Sequence, residues 1–299
     1  MTDAGTIEVT GLLSDLTTSS LVVAALASAL SDERARTPAE ALEIDGPRAA
    51  VLRTLPDAEL ALRALWEDRS SRSSNLVSSL SQAAAAAAGT TRAWSDVGDE
   101  VMIAQGRSSA LMARFMLKDV APAYGVLAAD SSARILDVGT GIGAIATALA
   151  EARPGIEVTG IDIAERPLDI ARTLVDELHS QVAARISFRQ QDVTELGEKA
   201  CYDVVWMPMP FLPDAIVDRA LDRATEALTS GGLLVLGTRP DVAGGGLRAA
   251  DAWIASLTGG GTLTTSAVAD RLSRRGFRRI LRFDTVPGAP VLLAAVAPH

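Results

Sequence analysis

The amino-acid sequence predicts an α/β fold: a doubly wound, mostly parallel sheet of seven strands preceded by an N-terminal α-helical domain. Three observations carry this. From Ala133 onward, short apolar runs alternate with helical stretches, the pattern of repeated βα units. Up to about residue 130, no strand pattern of any length interrupts the helical periodicity. At the join lies Arg134-Ile135-Leu136-Asp137-Val138-Gly139-Thr140-Gly141-Ile142-Gly143, a short buried strand that runs into three alternate glycines. The expected domains are therefore 1–130 (helical) and 131–299 (sheet). A chain of 299 residues is long for one domain and comfortable for two.

The helical part has readable starts and stops. Thr18 to Leu30 is one apolar segment, ended by Ser31-Asp32-Glu33. Thr37-Pro38-Ala39-Glu40 reads as a helix start, with Thr37 as N-cap and Pro38 at the first position. Pro56-Asp57-Ala58-Glu59 repeats that grammar before Leu60 to Trp66. Arg69 to Ser74 reads as a polar break, and Asn75 to Ala88 as an Ala-rich helix stopped by Gly89. A last helix spans about Gly106 to Tyr124, with Pro122 near its end.

In the sheet part, Arg134 to Val138 is the first strand and Ala144 to Ala152 its helix. The second strand is Glu157 to Ile163, followed by a helix from Pro167 to His179. Arg185 to Arg189 and Asp203 to Met207 are the third and fourth strands. A helix over Asp214 to Thr229 stops at Gly231-Gly232, and Leu233 to Gly237 is the fifth strand. After the Gly-rich Ala243 to Gly246 come two helices, then strands Phe277 to Phe283 and Val291 to Val296. The tight Val286-Pro287-Gly288-Ala289-Pro290 between these two predicts an antiparallel hairpin.

Composition narrows the function classes. Net charge is −9, which opposes a nucleic-acid partner and with it a winged-helix DNA reader at the N-terminus. Cys201 is the single cysteine, and His179 and His299 are the only histidines, so neither a disulfide nor a Cys/His metal site is expected. The first thirty residues carry no Lys or Arg, so no signal-peptide start is read. The apolar run Leu21 to Leu30 is shorter than the roughly 20 residues of a membrane span. A soluble cytoplasmic protein is expected, with no membrane partner.

Three carboxylates fall at strand ends, where open α/β sheets bind ligands. A strand, a Gly-rich turn and a helix start make a cradle of backbone donors for a polar ligand. Asp137 sits two residues before Gly139, where a carboxylate can accept from the cationic amino group of an amino-acid moiety. It has no evident job beside a pyrophosphate, although Gly139-x-Gly141-x-x-Ala144 also fits a loose dinucleotide fingerprint. Asp162 ends the second strand about twenty residues after the glycines and suits both ribose hydroxyls of an adenosine ligand. Asp192 follows the third strand, in Gln191-Asp192-Val193. Each Asp also reads as an ordinary turn or cap residue. His179 reads as a helix C-terminal residue complementing the dipole, not as a base.

The spacing Asp137-x-Gly139-x-Gly141-x-Gly143 resembles motif I of the class I S-adenosylmethionine (SAM)-dependent methyltransferases. With Asp162, Asp192 and the run Trp206-Met207-Pro208-Met209-Pro210-Phe211, four motifs fall in that family's order over about residues 106 to 299. The resemblance implies a Rossmann-like methyltransferase sheet with SAM as cofactor. It implies Asp137, Gly139, Gly141, Gly143, Asp162, Ile163, Gln191, Asp192, Val193 and Met207 at the cofactor, Asp192 beside adenine. Arg107 is a further candidate for a cofactor or substrate carboxylate, or else a surface Arg with Ser108 capping the next helix. Trp206, Met209 and Phe211 are candidates for an apolar substrate pocket; Trp206 reads either as core packing or as a wall near a cation. The Met-Pro-Met-Pro-Phe run superficially resembles the Asn-Pro-Pro-Tyr/Phe motif of amino-methylating enzymes, but lacks the acid or amide and the adjacent prolines, so that assignment is rejected. No His follows the fifth strand, where plant-type O-methyltransferases keep one; Thr238-Arg239-Pro240-Asp241 stands there. Catalytic candidates are Trp206, Glu165 and Glu100, with Asp241 a further carboxylate. The chain also resembles actinobacterial small-molecule methyltransferases of specialised metabolism, which implies a small-molecule acceptor and a helical region for homodimerisation and for roofing the pocket. Two rivals are a non-catalytic SAM-binding regulator and an NAD-dependent oxidoreductase.

Overall fold

The strands β1 (Ala133–Val138), β2 (Ile156–Asp162), β3 (Ile186–Gln190), β4 (Tyr202–Pro208), β5 (Leu228–Thr238), β6 (Arg278–Phe283) and β7 (Val291–Val296) form one sheet in the order β3-β2-β1-β4-β5-β7-β6. This is a computed structural model, and it describes residues 3–90, 97–241, 245–285 and 290–298, without the side chains of 3–13, Ser71 and 245–247. β1 to β5 pair in parallel, and β7 inserts antiparallel between β5 and the edge strand β6. The turn at 286–289 that the sequence reads as tight lies outside the described residues, as do 243–244 of the Gly-rich stretch and His299.

Both faces of the sheet are buried, so its central strands read as nearly unbroken apolar runs. The two faces can be told apart by parity. Ala133 and Ile135 of β1, Val204 and Trp206 of β4, and Leu233 and Val235 of β5 enter one core cluster. Leu136 and Val138, Val205 and Met207, and Leu234 and Leu236 enter the other. The helices α8 (Ala144–Ala152), α9 (Glu165–Asp176), α10 (Ser180–Ala183), α11 (Val217–Ala227), α12 (Gly245–Thr258) and α13 (Thr265–Arg274) connect the strands.

N-terminal to the sheet lie α1 (Asp3–Ser31), α2 (Pro38–Ala41), α3 (Gly46–Leu52), α4 (Ala58–Trp66), α5 (Arg69–Ala87), α6 (Asp99–Phe115) and α7 (Ala121–Tyr124). The predicted caps form: Thr37 Oγ1 accepts from Glu40 N–H at 3.2 Å, and Asp57 Oδ1 from Leu60 N–H at 2.9 Å. The chain divides into a helical unit, residues 1–88 with 103–108, and a sheet unit, residues 89–102 with 109–299. The helical unit has its own core of Ala25, Ala29, Leu30, Ala35, Ala41, Leu52 and Leu62.

Several boundaries differ from the sequence reading. Arg69 to Ser74 is the first turns of α5 rather than a break, because the buried Ser73 hydroxyl donates to Ala27 carbonyl at 2.8 Å and anchors that end on α1. The helix expected from Gly106 begins at Asp99, so Ser108 is a mid-helix residue and caps nothing. Pro122 neither ends nor breaks that helix. Residues Met116–Val120 take up a π turn, in which Ala121 N–H reaches Met116 carbonyl, and the chain passes the proline before stopping at left-handed Gly125. His179 is not at a helix C-terminus. It is the N-cap of α10, its Nδ1 accepting from Gln181 N–H at 3.4 Å. The apolar segment of α1 is also longer than read: Ser14–Ser31 has mean hydropathy 1.2 over 18 residues, long and apolar enough by that measure to cross a membrane, with 28% of the window buried.

Candidate active site

The glycine turn after β1 is bolted to β2. Gly139, Gly141 and Gly143 all have positive φ, which lets the chain coil between strand and helix. Thr140 N–H donates to Ile161 carbonyl at 3.0 Å, and Gly141 N–H to Asp162 Oδ2 at 3.0 Å. A Cβ on Gly141 would meet nothing within 4 Å, so the turn opens at its middle. A Cβ on Gly143 would lie 2.5 Å from Phe188 Cζ, and one on Gly160 2.7 Å from Phe188 Cδ1. The Phe188 ring therefore fills the space two glycines leave. Thr140, Gly160 and Phe188 were not singled out from the sequence; the only signal was a Thr in a turn and a Gly inside a strand.

Asp137 is 1% exposed. Its Oδ2 accepts from Thr140 Oγ1 at 2.7 Å, while its Oδ1 is shielded from solvent and has no hydrogen-bond partner. Burial pushes this carboxyl up to about 7; the Thr140 hydroxyl works against that rise, the Asp162 charge adds to it, and the Ala146 N–H at the start of α8 opposes it weakly. Asp162 has both oxygens engaged by backbone amides, Oδ2 by Gly141 and Oδ1 by Ala164 at 3.0 Å. Burial raises its pKa against those bonds. Each oxygen retains a second lone pair for a further donor. Next to it, Ile163 is 70% exposed, a bare apolar surface at the ligand edge of the sheet. Gln191 N–H donates to Asp162 carbonyl at 2.8 Å, which brings the end of β3 to the end of β2. Asp192 caps a short 3-10 turn, its Oδ1 accepting from Thr194 N–H at 2.7 Å, and Val193 is buried in the core.

The end of β4 reaches the glycine turn: a Cβ on Gly139 would lie 3.5 Å from Pro208 Cγ. The apolar wall expected of Met207, Met209 and Phe211 does not form as one surface. Met207 and Met209 are enclosed in one core cluster, Met207 because its position on β4 points to that face and Met209 as the first residue of the 3-10 turn that follows, and only Phe211 is exposed. Trp206 takes the core role. It is 2% exposed on the opposite face, and a Cβ on Gly237 would lie 2.8 Å from its Cη2.

The carboxylate candidates separate by their partners. Glu165 opens α9, is exposed, and pairs with Arg172 at 2.6 Å. Glu100 is exposed in the first turn of α6. Arg166 links their neighbourhoods, donating to Val97 carbonyl at 2.9 Å and pairing with Asp99 at 2.5 Å. Asp241 is occupied by Ser266 N–H and Oγ at 3.2 and 2.7 Å, and by Arg282 at 3.5 Å. Burial raises its pKa, but the bonds from Ser266 and Thr264 outweigh burial and hold the carboxyl below its usual range. Arg107 is exposed on α6, within the helical unit. Among the described residues no cluster of His, Cys, Asp or Glu suits a metal ion.

Residues 135–232 match the family model described as a methyltransferase domain. A release factor glutamine methyltransferase of Rhodopirellula baltica is 30% identical over 147 residues, 40% of this chain and 49% of that protein. A demethylmenaquinone methyltransferase of Deinococcus radiodurans is 35% identical over 118 residues, 39% of this chain and 47% of that protein. The chain thus spans about half the length of the curated relatives it matches. Among solved structures, an O-methyltransferase family protein from Burkholderia thailandensis superposes with a TM-score of 0.60 at 16% identity, covering 98% of each chain, which is a likeness of fold.

Proposed function

We propose that this chain is a class I SAM-dependent methyltransferase that transfers a methyl group to a small-molecule acceptor. The observation that carries the reading is the buried Asp137 Oδ1, left without a partner at the base of an open glycine turn. A shielded carboxylate oxygen with no donor is costly unless a ligand brings one. The residues present fit SAM: Asp137 for its ammonium, Asp162 for its ribose hydroxyls, the bare Ile163 and Asp192 for its adenine. The hydride-transfer rival has no use for Asp137 and no support from the methyltransferase-domain match over 135–232.

SAM, when bound, supplies a methyl group activated on a sulfonium. The chain contributes position and dryness. The turn from Gly139 to Gly143 fixes the amino-acid end, and Asp162 fixes the ribose while bracing the turn through Gly141 N–H. Pro208, the last residue of β4, stiffens the strand end that lies beside Gly139. Alignment of this kind can supply much of the barrier lowering when the acceptor is already a good nucleophile. That suits a site in which Asp241 is tied to Ser266 and Glu165 to Arg172.

The relatives act on unlike acceptors, one on a protein glutamine and one on a quinone precursor, by their names. The Met209 between Pro208 and Pro210 argues against the glutamine reading, since the amide-holding pattern is missing. A small molecule, in specialised metabolism as the sequence resemblance implies, fits better. The helical domain is read as a dimerising cover for the acceptor, and the enzyme as a soluble homodimer; the burial of Ala25, Ala29 and Leu30 of α1 in the helical core supports α1 as part of the globule.

Calorimetric titration with SAM, S-adenosylhomocysteine and NAD tests the reading. Binding of the first two without NAD is the expected result. Binding of NAD alone overturns it. Binding of SAM without turnover of any acceptor points to the regulatory rival.

A further inference from the structure

Thr140 fills a narrow place between two strands. Asp137 of β1 and Gly160 of β2 are register partners, and Val138 pairs with Ile161. The Thr140 hydroxyl reaches both members of the first pair. Its Oγ1 donates to Asp137 Oδ2 at 2.7 Å. A Cβ on Gly160 would lie 2.7 Å from the same Oγ1, so the bare backbone there is what admits the hydroxyl. Thr140 is 8% exposed. Its β-branched side chain has few rotamers to turn into.

Backbone bonds already tie the turn to β2. Thr140 N–H goes to Ile161 carbonyl and Gly141 N–H to Asp162 Oδ2, both at 3.0 Å. Gly143 N–H closes the turn on Thr140 carbonyl at 2.9 Å. What the side chain adds is control of one carboxyl. The terminal torsion of an aspartate is broad, so an untethered carboxyl swings. A bond to Oδ2 stops that swing and fixes which oxygen is left over. The Ala146 N–H also acts on this carboxyl, more weakly than the Thr140 hydroxyl.

We propose that Thr140 is a positioning residue for the amino-acid end of the cofactor: by holding Asp137 Oδ2 it presents Oδ1 to the ligand's ammonium. This rests on the reading of the chain as a SAM-dependent methyltransferase with Asp137 at that ammonium. Thr140 itself touches no reacting atom. It acts by removing in advance the freedom that the Asp137 carboxyl would otherwise lose on binding. The ribose is assigned to Asp162 and the adenine to Ile163 and Asp192. The contribution of the Thr140 hydroxyl is therefore confined to ligands that carry the amino group.

S-adenosylhomocysteine and 5′-methylthioadenosine, which lacks the amino-acid end, are titrated calorimetrically into the full chain and its variants. Thr140→Val removes the hydroxyl and keeps the branched shape. It should weaken S-adenosylhomocysteine about tenfold and methylthioadenosine by less than about twofold. Thr140→Ser restores the donor and should bind S-adenosylhomocysteine within about threefold of wild type. In an Asp137→Ala background there is no carboxyl left to orient, so Thr140→Val should cost less than about twofold more. Thr140→Ala, which sets no methyl against the carboxyl, takes the place of Thr140→Val should that variant not fold. Equal losses for the two ligands would mean a general distortion of the turn and overturn the proposal. So would an undiminished S-adenosylhomocysteine affinity, a Ser variant as weak as the Val variant, or independent effects at 137 and 140. Those results concern Thr140 alone. A wild type that binds neither ligand would instead refute the cofactor reading, and the role of Thr140 with it.

Discussion

The Thr140 hydroxyl donates to Asp137 Oδ2 at 2.7 Å, and that bond leaves Oδ1 of the same buried carboxyl without a donor. One oxygen braces the glycine turn from within. The other is buried with no hydrogen-bond partner.

The pH dependence of stability follows from this. The Asp137 carboxyl is raised to about 7 in the folded chain, against about 3.9 for an unfolded Asp. At low pH both states are protonated. As pH rises from about 4 to 7 the unfolded state loses a proton that the folded state still holds, so folding stability falls, and above that window the penalty is complete. Asp137→Asn removes the penalty. Relative to wild type, the ligand-free variant should gain on the order of 1–4 kcal/mol between pH 5 and pH 8. Urea unfolding at the two pH values measures it, and a difference independent of pH would show that Asp137 ionises freely.

A ligand ammonium at Oδ1 favours the ionised carboxyl. Binding of S-adenosylhomocysteine at pH 6 should therefore release up to about one proton. Calorimetry in two buffers of unlike ionisation heat reads the proton count directly. Identical heats in both buffers would dissociate Asp137 from the ligand's amino group.

Asp162→Ala should weaken S-adenosylhomocysteine binding by roughly 1–3 kcal/mol, through unpaired ribose hydroxyls. The same change frees Gly141 N–H and Ala164 N–H, each bonded to this carboxylate at 3.0 Å. Asp162→Asn keeps one acceptor oxygen and should fall between. Unchanged affinity in the Ala variant would refute the ribose role.

How much of this was legible in the sequence depends on the kind of interaction. The sheet was, because the burial of both its faces forces the apolar runs of β1, β4 and β5 and leaves their ends marked by Asp and Gly. The positions of Asp137, Asp162 and Gly141 were legible for the same reason. The wedge of Phe188 between Gly143 and Gly160 was not, since it joins three elements separated in sequence and no local pattern announces it. Met207 and Met209 look like a pocket wall when read as a loop, but strand parity turns Met207 into the core and the 3-10 turn after β4 turns Met209 there too. The π turn at Met116–Val120 is invisible because it compensates Pro122 through the backbone alone.

The Phe188 wedge is open to a direct test. Gly143 has φ +74°, and a Cβ there would lie 2.5 Å from Phe188 Cζ. Gly143→Ala combines left-handed strain with overpacking and should cost about 1–3 kcal/mol in chemical denaturation. Adding Phe188→Leu should recover the overpacking part but not the strain. Strict additivity of the two substitutions would mean that the ring moves aside without resistance.

Trp206 offers the sharpest separation of packing from chemistry. Its ring is 2% exposed and rests where Gly237 has no side chain. Trp206→Phe leaves a cavity in the cluster that also holds Ile135, Val235 and Leu292. It should therefore cost about 1–3 kcal/mol of stability. S-adenosylhomocysteine affinity should stay within about twofold, because no indole face is open to the ligand edge. Gly237→Ala should be worse than Trp206→Phe alone, since its Cβ would lie 2.8 Å from the ring in a core with no slack. The double variant should recover stability, the smaller Phe ring making room for the methyl. A Trp206→Phe protein of wild-type stability but tenfold weaker cofactor binding would reverse the assignment and return the indole to the site.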